Sequence, residues 1–324
     1  MSIIRTGATS GYYVDIFRSR RKAGGDRYHD YFYHNLGQEL LLTDASGQAL
    51  QLSPSDRLTF ADGDLFAYDY IWDKQSKATD QDFKAAFRLN MEGEEEILMN
   101  MWMAGEDDRE VFKALTPPSE AFRREMVPEA ISRAPLPAVV VRQQGEAWTR
   151  PFAAIYEPTT ESEPSVIRSV ESFEAENAGE GFVGLQVVGV SGREDHVFSS
   201  GESGHVQYDD MEFDGTYGVV TREEGGVILY LGSGRLISGG GYRLEVLGEE
   251  VGSATLSAKN GSLYLTADSA VLISFPDDFG RGRLIMSVGE NRIEGRRVEL
   301  GGEKLVVFEL PETNWQSANI ENVE

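Results

Sequence analysis

Two stretches, "TYGVVTREEGGVILYLGSG" and "SATLSAKNGSLYLTA", constrain the fold more than any other part of the chain. In each, two short apolar runs flank a Glu-Glu-Gly-Gly or an Asn-Gly step. Those dipeptides supply the positive φ angles of tight hairpin turns, which join antiparallel strands. The same punctuation recurs from "VIRSVESFE" to "KLVVFELP", with runs too short for packed helices. Regular spacing of this kind predicts an all-β chain built as antiparallel β-sandwich-like domains. The length of 324 residues exceeds the usual single domain, so two are expected. The Ser/Thr/Glu/Pro-rich stretch "TTESEPS" reads as the linker, which divides the chain into 1–160 and 161–324. No internal repeat of fixed period is present.

In the first half, "GYYVDIFRSRR", "KAGGDR" and "YHDYFYHNLG" read as strand, turn and strand of one long hairpin. "ELLLT", "QALQLS", "FAYDYIWDK", "FKAAFRLNM", "EEILMNMWMAG", "PAVVVRQQG" and "WTRPFAAIYEP" are further strands, and "REVFKAL" is compatible with one. "SEAFRREMVPEAIS" is a loop or a helical turn interrupted by Pro128. On the segment "RYHDYFYHN", period-two geometry puts His29, Tyr31 and Tyr33 on one face and Tyr28, Asp30, Phe32 and His34 on the other. Aromatic rings on both faces predict that both meet something other than bulk water.

Charge narrows the partners. With 30 Lys and Arg against 54 Asp and Glu, the net charge is −24, a field that repels nucleic acid and anionic membranes. Arg5, Arg18, Arg20, Arg21, Lys22 and Arg27 form a basic strip on this acidic body. It is either a solvated arm or a local contact for a polyanion. The absence of cysteine excludes disulfides, thiolate metal sites and cysteine nucleophiles. No apolar run reaches membrane-spanning length, and the first residues lack the pattern of a secretory signal.

Catalytic motifs are sparse. There is no G-x-S-x-G elbow, P-loop or dinucleotide fingerprint, and "GSGRLISGGG" has no helix behind it. His196 and His205, with Asp209 and Asp210, carry zinc or calcium donors. Two solvent-facing turn histidines explain the same residues. The strip at 27–35 is the best chemical candidate. Imidazole and phenol groups are what proton abstraction beside a carboxylate needs, and aromatic faces also stack on sugar rings. Against this, a strand with aromatics on both faces between two packed layers is ordinary core. On the catalytic reading His29, Tyr31, Tyr33 and His34 act with Arg18 as neutraliser. On the glycan-contact reading the set is His29, Tyr33, His34, Asn35, Arg18, Arg20 and Arg27.

"YYVDIFRSRRKAGGDRYHDYFYHNLGQEL" resembles the β-sheet region of heparinase II/III-like polysaccharide lyases, in which a V-D-[IV]-F-R strand precedes an H-D-Y-x-x-H strand. "MNMWMAGEDDREVFKALTPPS" and "PLPAVVVRQQGEAWTRPFAAIYEP" are similar to later segments of that region, and the remainder more loosely to the C-terminal β-sandwich. The resemblance implies β-elimination of uronic-acid-containing glycans, an acidic polysaccharide as partner, and a periplasmic or secreted setting. It also implies a zinc or calcium site, whose family ligands lie upstream of the V-D-I-F-R strand and have no match here. The family's helical toroid, which holds the catalytic residues, likewise has no counterpart in this sequence. The expectation is therefore a scaffold and glycan-contact portion that does not catalyse alone, working beside a separate toroid chain or as a homodimer. The alternative is a free-standing carbohydrate-binding or assembly protein without catalysis.

Overall fold

The computed structural model describes residues 1–58, 67–118, 128–248, 250–260, 262–278, 282–288, 290–300, 302–312 and 318–323. Residues 119–127 of the expected loop or helical turn lie outside this set, while Glu129–Ser132 forms one helical turn after Pro128. The chain is all-β and divides into two compact units, Met1–Ser169 and Val170–Glu324. Among the described residues no helix is long and apolar enough to cross a membrane.

The first unit contains β1 (Ser2–Arg5), β2 (Gly11–Ser19), β3 (Tyr28–His34), β4 (Glu39–Asp44), β5 (Ser53–Pro54) and β6 (Trp72–Ala78). It continues with β7 (Phe83–Leu89), β8 (Ile97–Met103), β9 (Arg109–Thr116), β10 (Leu136–Gln144) and β11 (Ala147–Thr159). Six strands make one antiparallel sheet in the order β1-β2-β11-β8-β7-β4, and five make a second in the order β3-β10-β9-β6-β5. Strict alternation along β7 sends Phe83, Ala85 and Phe87 inward, where they meet Met101, Met103, Val139, Val141 and Phe152. The unbroken apolar run of β10 is buried on both faces. Val140 points away from that core into a second cluster with Leu58, Ile71, Phe112 and Ala114.

The expected long hairpin is not formed. β2 pairs with β1 and β11 in the six-stranded sheet, whereas β3 pairs with β10 in the other. Both strands alternate as the sequence predicts, but alternation does not fix the partner. Residues 20–27, with Gly24 and Gly25 both at φ near +70° (69° and 72°), carry the chain from one sheet to the other as an arch. The inner faces of β2 and β3 are thereby placed opposite each other. Two further expectations shift. The segment read as "FAYDYIWDK" is a 3₁₀ turn at Ala67–Tyr70 followed by β6, and its Phe66 lies outside the described residues. "QALQLS" reduces to a bridge at Ala49 and the two residues of β5.

The second unit opens with β12 (Ile167–Phe173), β13 (Val183–Gly189), β14 (Glu194–Ser199), β15 (His205–Tyr208), β16 (Met211–Glu223) and β17 (Gly226–Gly239). The expected hairpin between β16 and β17 turns at Gly225, at φ +74°. The Asn-Gly hairpin joins Gly252–Lys259 to Ser262–Ala267, with Asn260 at φ +50°. β16 and β17 slip register between Asp214 and Gly218, where Gly215 and Gly234 let the two backbones close up; a Cβ on either would meet a carbonyl oxygen at 2.5 Å. The bend divides β17. Its first half pairs with Gly252–Lys259 and its end with Tyr242–Val246. The diverging strands enclose a core containing Phe198, Phe213, Leu231, Ile237, Phe275 and Phe308.

Candidate functional site: an aromatic hollow on the first unit

Sheet order determines where the first unit is open. β3 is the edge of its sheet, and the opposing sheet runs on through β2 to β1. The inner face of β2 is therefore left partly uncovered beside β3, and a hollow of about 520 Å³ lies there. Tyr13, Asp15 and Phe17 come from alternate positions of β2, Tyr31 and Tyr33 from β3, and Tyr156 from β11. Register brings Tyr13 opposite Tyr156 and Phe17 opposite Phe152.

A directional hydrogen-bond chain forms the polar floor. The buried Tyr31 hydroxyl donates to Asp15 Oδ2 at 2.6 Å. That commits its one proton, so the Tyr156 hydroxyl, 2.6 Å away, donates to Tyr31. Burial, with the neighbouring phenol and carboxylate, pushes the Tyr31 pKa far above its ordinary value; burial does the same to Tyr156. Tyr33 is pushed up to about 12 by burial, and its ring packs on Tyr156 (4.7 Å) and Phe87 (5.3 Å). All three phenols are neutral donors at ordinary pH, not bases. Phe152 supports the floor, with ring centroids 5.5 Å from Tyr31 and 6.3 Å from Phe17.

The outer face of β3 is bound differently. Asp30 receives Arg142 through two parallel bonds of 2.7 Å and the Tyr68 hydroxyl at 2.6 Å, while Arg142 lies 3.8 Å over the Tyr28 ring. Burial acts to lower the Arg142 pKa, but the bonds to Asp30 outweigh it and raise the value.

Of the candidate catalytic and glycan-contact residues named from sequence, Tyr31 and Tyr33 line the hollow, and Asp30 and Phe32 of the same strip also border it. His29 instead bonds Asp26 at 2.6 Å, which, aided by the Arg21 amide, holds that carboxyl below the usual range. His34 is exposed at the end of β3, its ring 5.8 Å from Phe32, and Asn35 Oδ1 accepts the next amide, that of Leu36. Arg18 sits on the opposite face of β2 from Asp15 and Phe17, half-buried, with its pKa lowered by burial. Arg20 lies 4.3 Å over the Trp148 ring, and Arg27 is exposed. Sequence reasoning missed Asp15 and Tyr156. Their signal was the V-D-I-F and I-Y-E-P segments, which the fold joins through Tyr31.

The metal candidates of the second unit are dispersed. Asp210 pairs with Arg222 and accepts the Gly240 amide at 3.0 Å, and Asp209 lies 3.7 Å from Arg222. His205 is exposed on β15. His196 is not the solvent-facing turn residue expected. It is buried on β14 because Val197 and its neighbours pair on both sides, with β13 and with β16. Among the described residues no three His, Asp or Glu side chains converge as metal ligands would.

Burial, then the Arg222 charge, lowers the His196 pKa against the opposing pull of Glu194, Asp195 and Asp210. Its Nδ1 has no hydrogen-bond partner among the described residues, and its ring packs 5.9 Å from both Phe173 and Tyr208. The neutral ring is thus favoured in the folded state. Its contribution is complete above the unfolded pKa of about 6.5 and is lost as pH falls from there through the depressed folded value. The protection of the β14 amides against hydrogen exchange, corrected for the intrinsic rate, should fall as pH drops below about 6.5. His196→Phe should remove that part of the dependence; an unchanged profile would exclude His196 as its source.

A family described as endo-acting ulvan lyase C-terminal domain matches residues 167–257. An endo-acting ulvan lyase of Formosa agariphila is 28% identical over 257 residues, which cover 76% of this chain and 30% of that protein. The chain therefore spans less than a third of the curated relative's length. Both matches are similarities to ulvan lyase sequences over part of this chain.

Proposed function

We propose that the chain is the β-rich, C-terminal portion of a heparinase II/III-like lyase that cleaves uronic-acid-containing polysaccharide by β-elimination. Residues 1–160 correspond to the central sheet region and 161–324 to the C-terminal sandwich. The chain acts as scaffold and glycan-contact surface, with proton transfer residing elsewhere in the enzyme. The observation that carries this reading is the hollow itself. Two segments that prompted the family resemblance meet there, one bringing Asp15 and Tyr31 and the other Tyr156, and make a wall of aromatic rings around hydrogen-bonding groups. Such a wall suits a sugar ring, whose C–H face stacks while its hydroxyls find polar partners. β-Elimination needs a base to remove the proton next to the carboxylate. The phenols here are held protonated by burial, and His29 is engaged with Asp26 outside the hollow.

Electrophoresis of the chain through a gel containing ulvan, the polymer in the relative's name, should show retardation. The chain alone should give no growth of unsaturated-uronide absorbance. Turnover by the chain alone would overturn the non-catalytic assignment, and unretarded migration would overturn the contact surface.

A further inference from the structure

The ionisation of the hollow says more about which sugar it accepts, and this step rests on the glycan-contact reading above. Its lining includes two carboxylates, Asp15 and Asp30, and no lysine, arginine or histidine side chain. Asp30 is neutralised: Oδ1 takes Arg142 Nε, and Oδ2 takes both Arg142 Nη2 and the Tyr68 hydroxyl. Asp15 is not. Its Oδ2 accepts Tyr31, and its Oδ1 has no protein partner among the described residues. Tyr13 and Phe17, its neighbours on the same face of β2, are 37% and 42% exposed, which is high for aromatic side chains unless something covers them.

A carboxylate with no cationic side chain beside it, set among aromatic rings, repels a second carboxylate more strongly than it would in open water. It accepts a hydrogen bond from an alcohol well. We propose that the hollow is a subsite for a neutral sugar ring of the polymer, seated on Phe17 and Tyr33 with one ring hydroxyl donating to Asp15 Oδ1. The uronate units then lie outside it. The basic loop that follows β2 offers them cations, beginning with Arg20, three residues beyond Phe17 or roughly 10 Å at the rise of a strand. The overall acidity of the chain makes this local separation of neutral and charged subsites necessary, since the uronates must find the positive minority of the surface.

The test uses the whole chain and matched probes, methyl β-glucoside against methyl β-glucuronide and the corresponding galacto pair, in saturation-transfer NMR. The neutral glycosides should bind at least about five-fold more tightly than the uronides. Asp15→Asn should bring the two to within about two-fold, because the repulsion is removed. Phe17→Ala, which alters an exposed ring, should abolish neutral-sugar saturation while leaving tryptophan emission unchanged. A uronide that binds as well as its neutral partner would overturn the subsite assignment and leave the glycan-contact reading standing. Absence of all saturation with retardation in the ulvan gel would also overturn it. Absence of both would overturn the two together.

Discussion

Arg142→Ala is expected to lower the stability of the first unit by about 3–5 kcal/mol, the usual cost of leaving one partner of a buried ion pair uncompensated. The pair joins the edge strand β3 to β10, and its side chains are only 8% and 10% exposed. Asp30 would keep the Tyr68 hydroxyl but lose both charged donors, and Tyr28 would lose the guanidinium on its ring. Burial and the hydrogen bond to Asp30 push the Tyr68 pKa up, so the phenol stays neutral and offers the uncompensated carboxylate one hydrogen bond and no charge. Urea unfolding followed by tryptophan emission is the appropriate readout, because Trp72, Trp102 and Trp148 all lie in this unit. The double variant Asp30→Leu/Arg142→Met removes both charges and should recover at least half of the loss. A double variant as unstable as the sum of the single ones would show that packing, not the unpaired charge, is responsible.

The contrast between those two strands explains which parts of the architecture were readable from residues alone. Alternation in "YYVDIF" and "YHDYFYH" predicted two-faced strands, and both faces of β3 do meet partners: Tyr31 and Tyr33 on one side, Asp30 with Arg142 on the other. The Glu-Glu-Gly-Gly and Asn-Gly turns were equally legible, because hairpin chemistry is local. Sheet membership was not. Period-two patterns are identical in a hairpin and in an arch that crosses between layers, and only tertiary packing of Phe17 against Tyr31 distinguishes them. The same limit hid half of the candidate site. Tyr156 lies 125 residues from Tyr31 and reaches it through the register of β11 on β2. His196 was misread for a related reason: its surroundings are set by strands on either side, not by the polar residues beside it in the chain.

The second large effect is expected at Phe152, which is completely buried beneath the hollow. Truncation to alanine removes a ring that supports Tyr31 and Phe17 and lies 4.7 Å from the Arg109 guanidinium. A buried Phe→Ala change costs about 3–5 kcal/mol, through lost transfer energy and the cavity left behind. The site also has little capacity to collapse. β11 slips register against β2 between Ala147 and Phe152, and Arg109 is tied to Gln143 Oε1 and to the carbonyls of Ala104 and Pro151. Burial lowers the Arg109 pKa to about 10, so losing the ring's electrostatic contact falls on a cation that is already poorly solvated. The functional consequence follows from the same geometry. With the cavity open, the Tyr31 ring is free to tilt, and its donation to Asp15 no longer holds the carboxylate at the floor. Phe152→Ala should therefore weaken retardation in the ulvan gel at temperatures where the unit is still folded. Phe152→Leu, which fills most of the space, should lose clearly less stability and retain binding. If Phe152→Ala unfolds within about 1 kcal/mol of the parent and binds glycan equally well, the ring does not support the hollow.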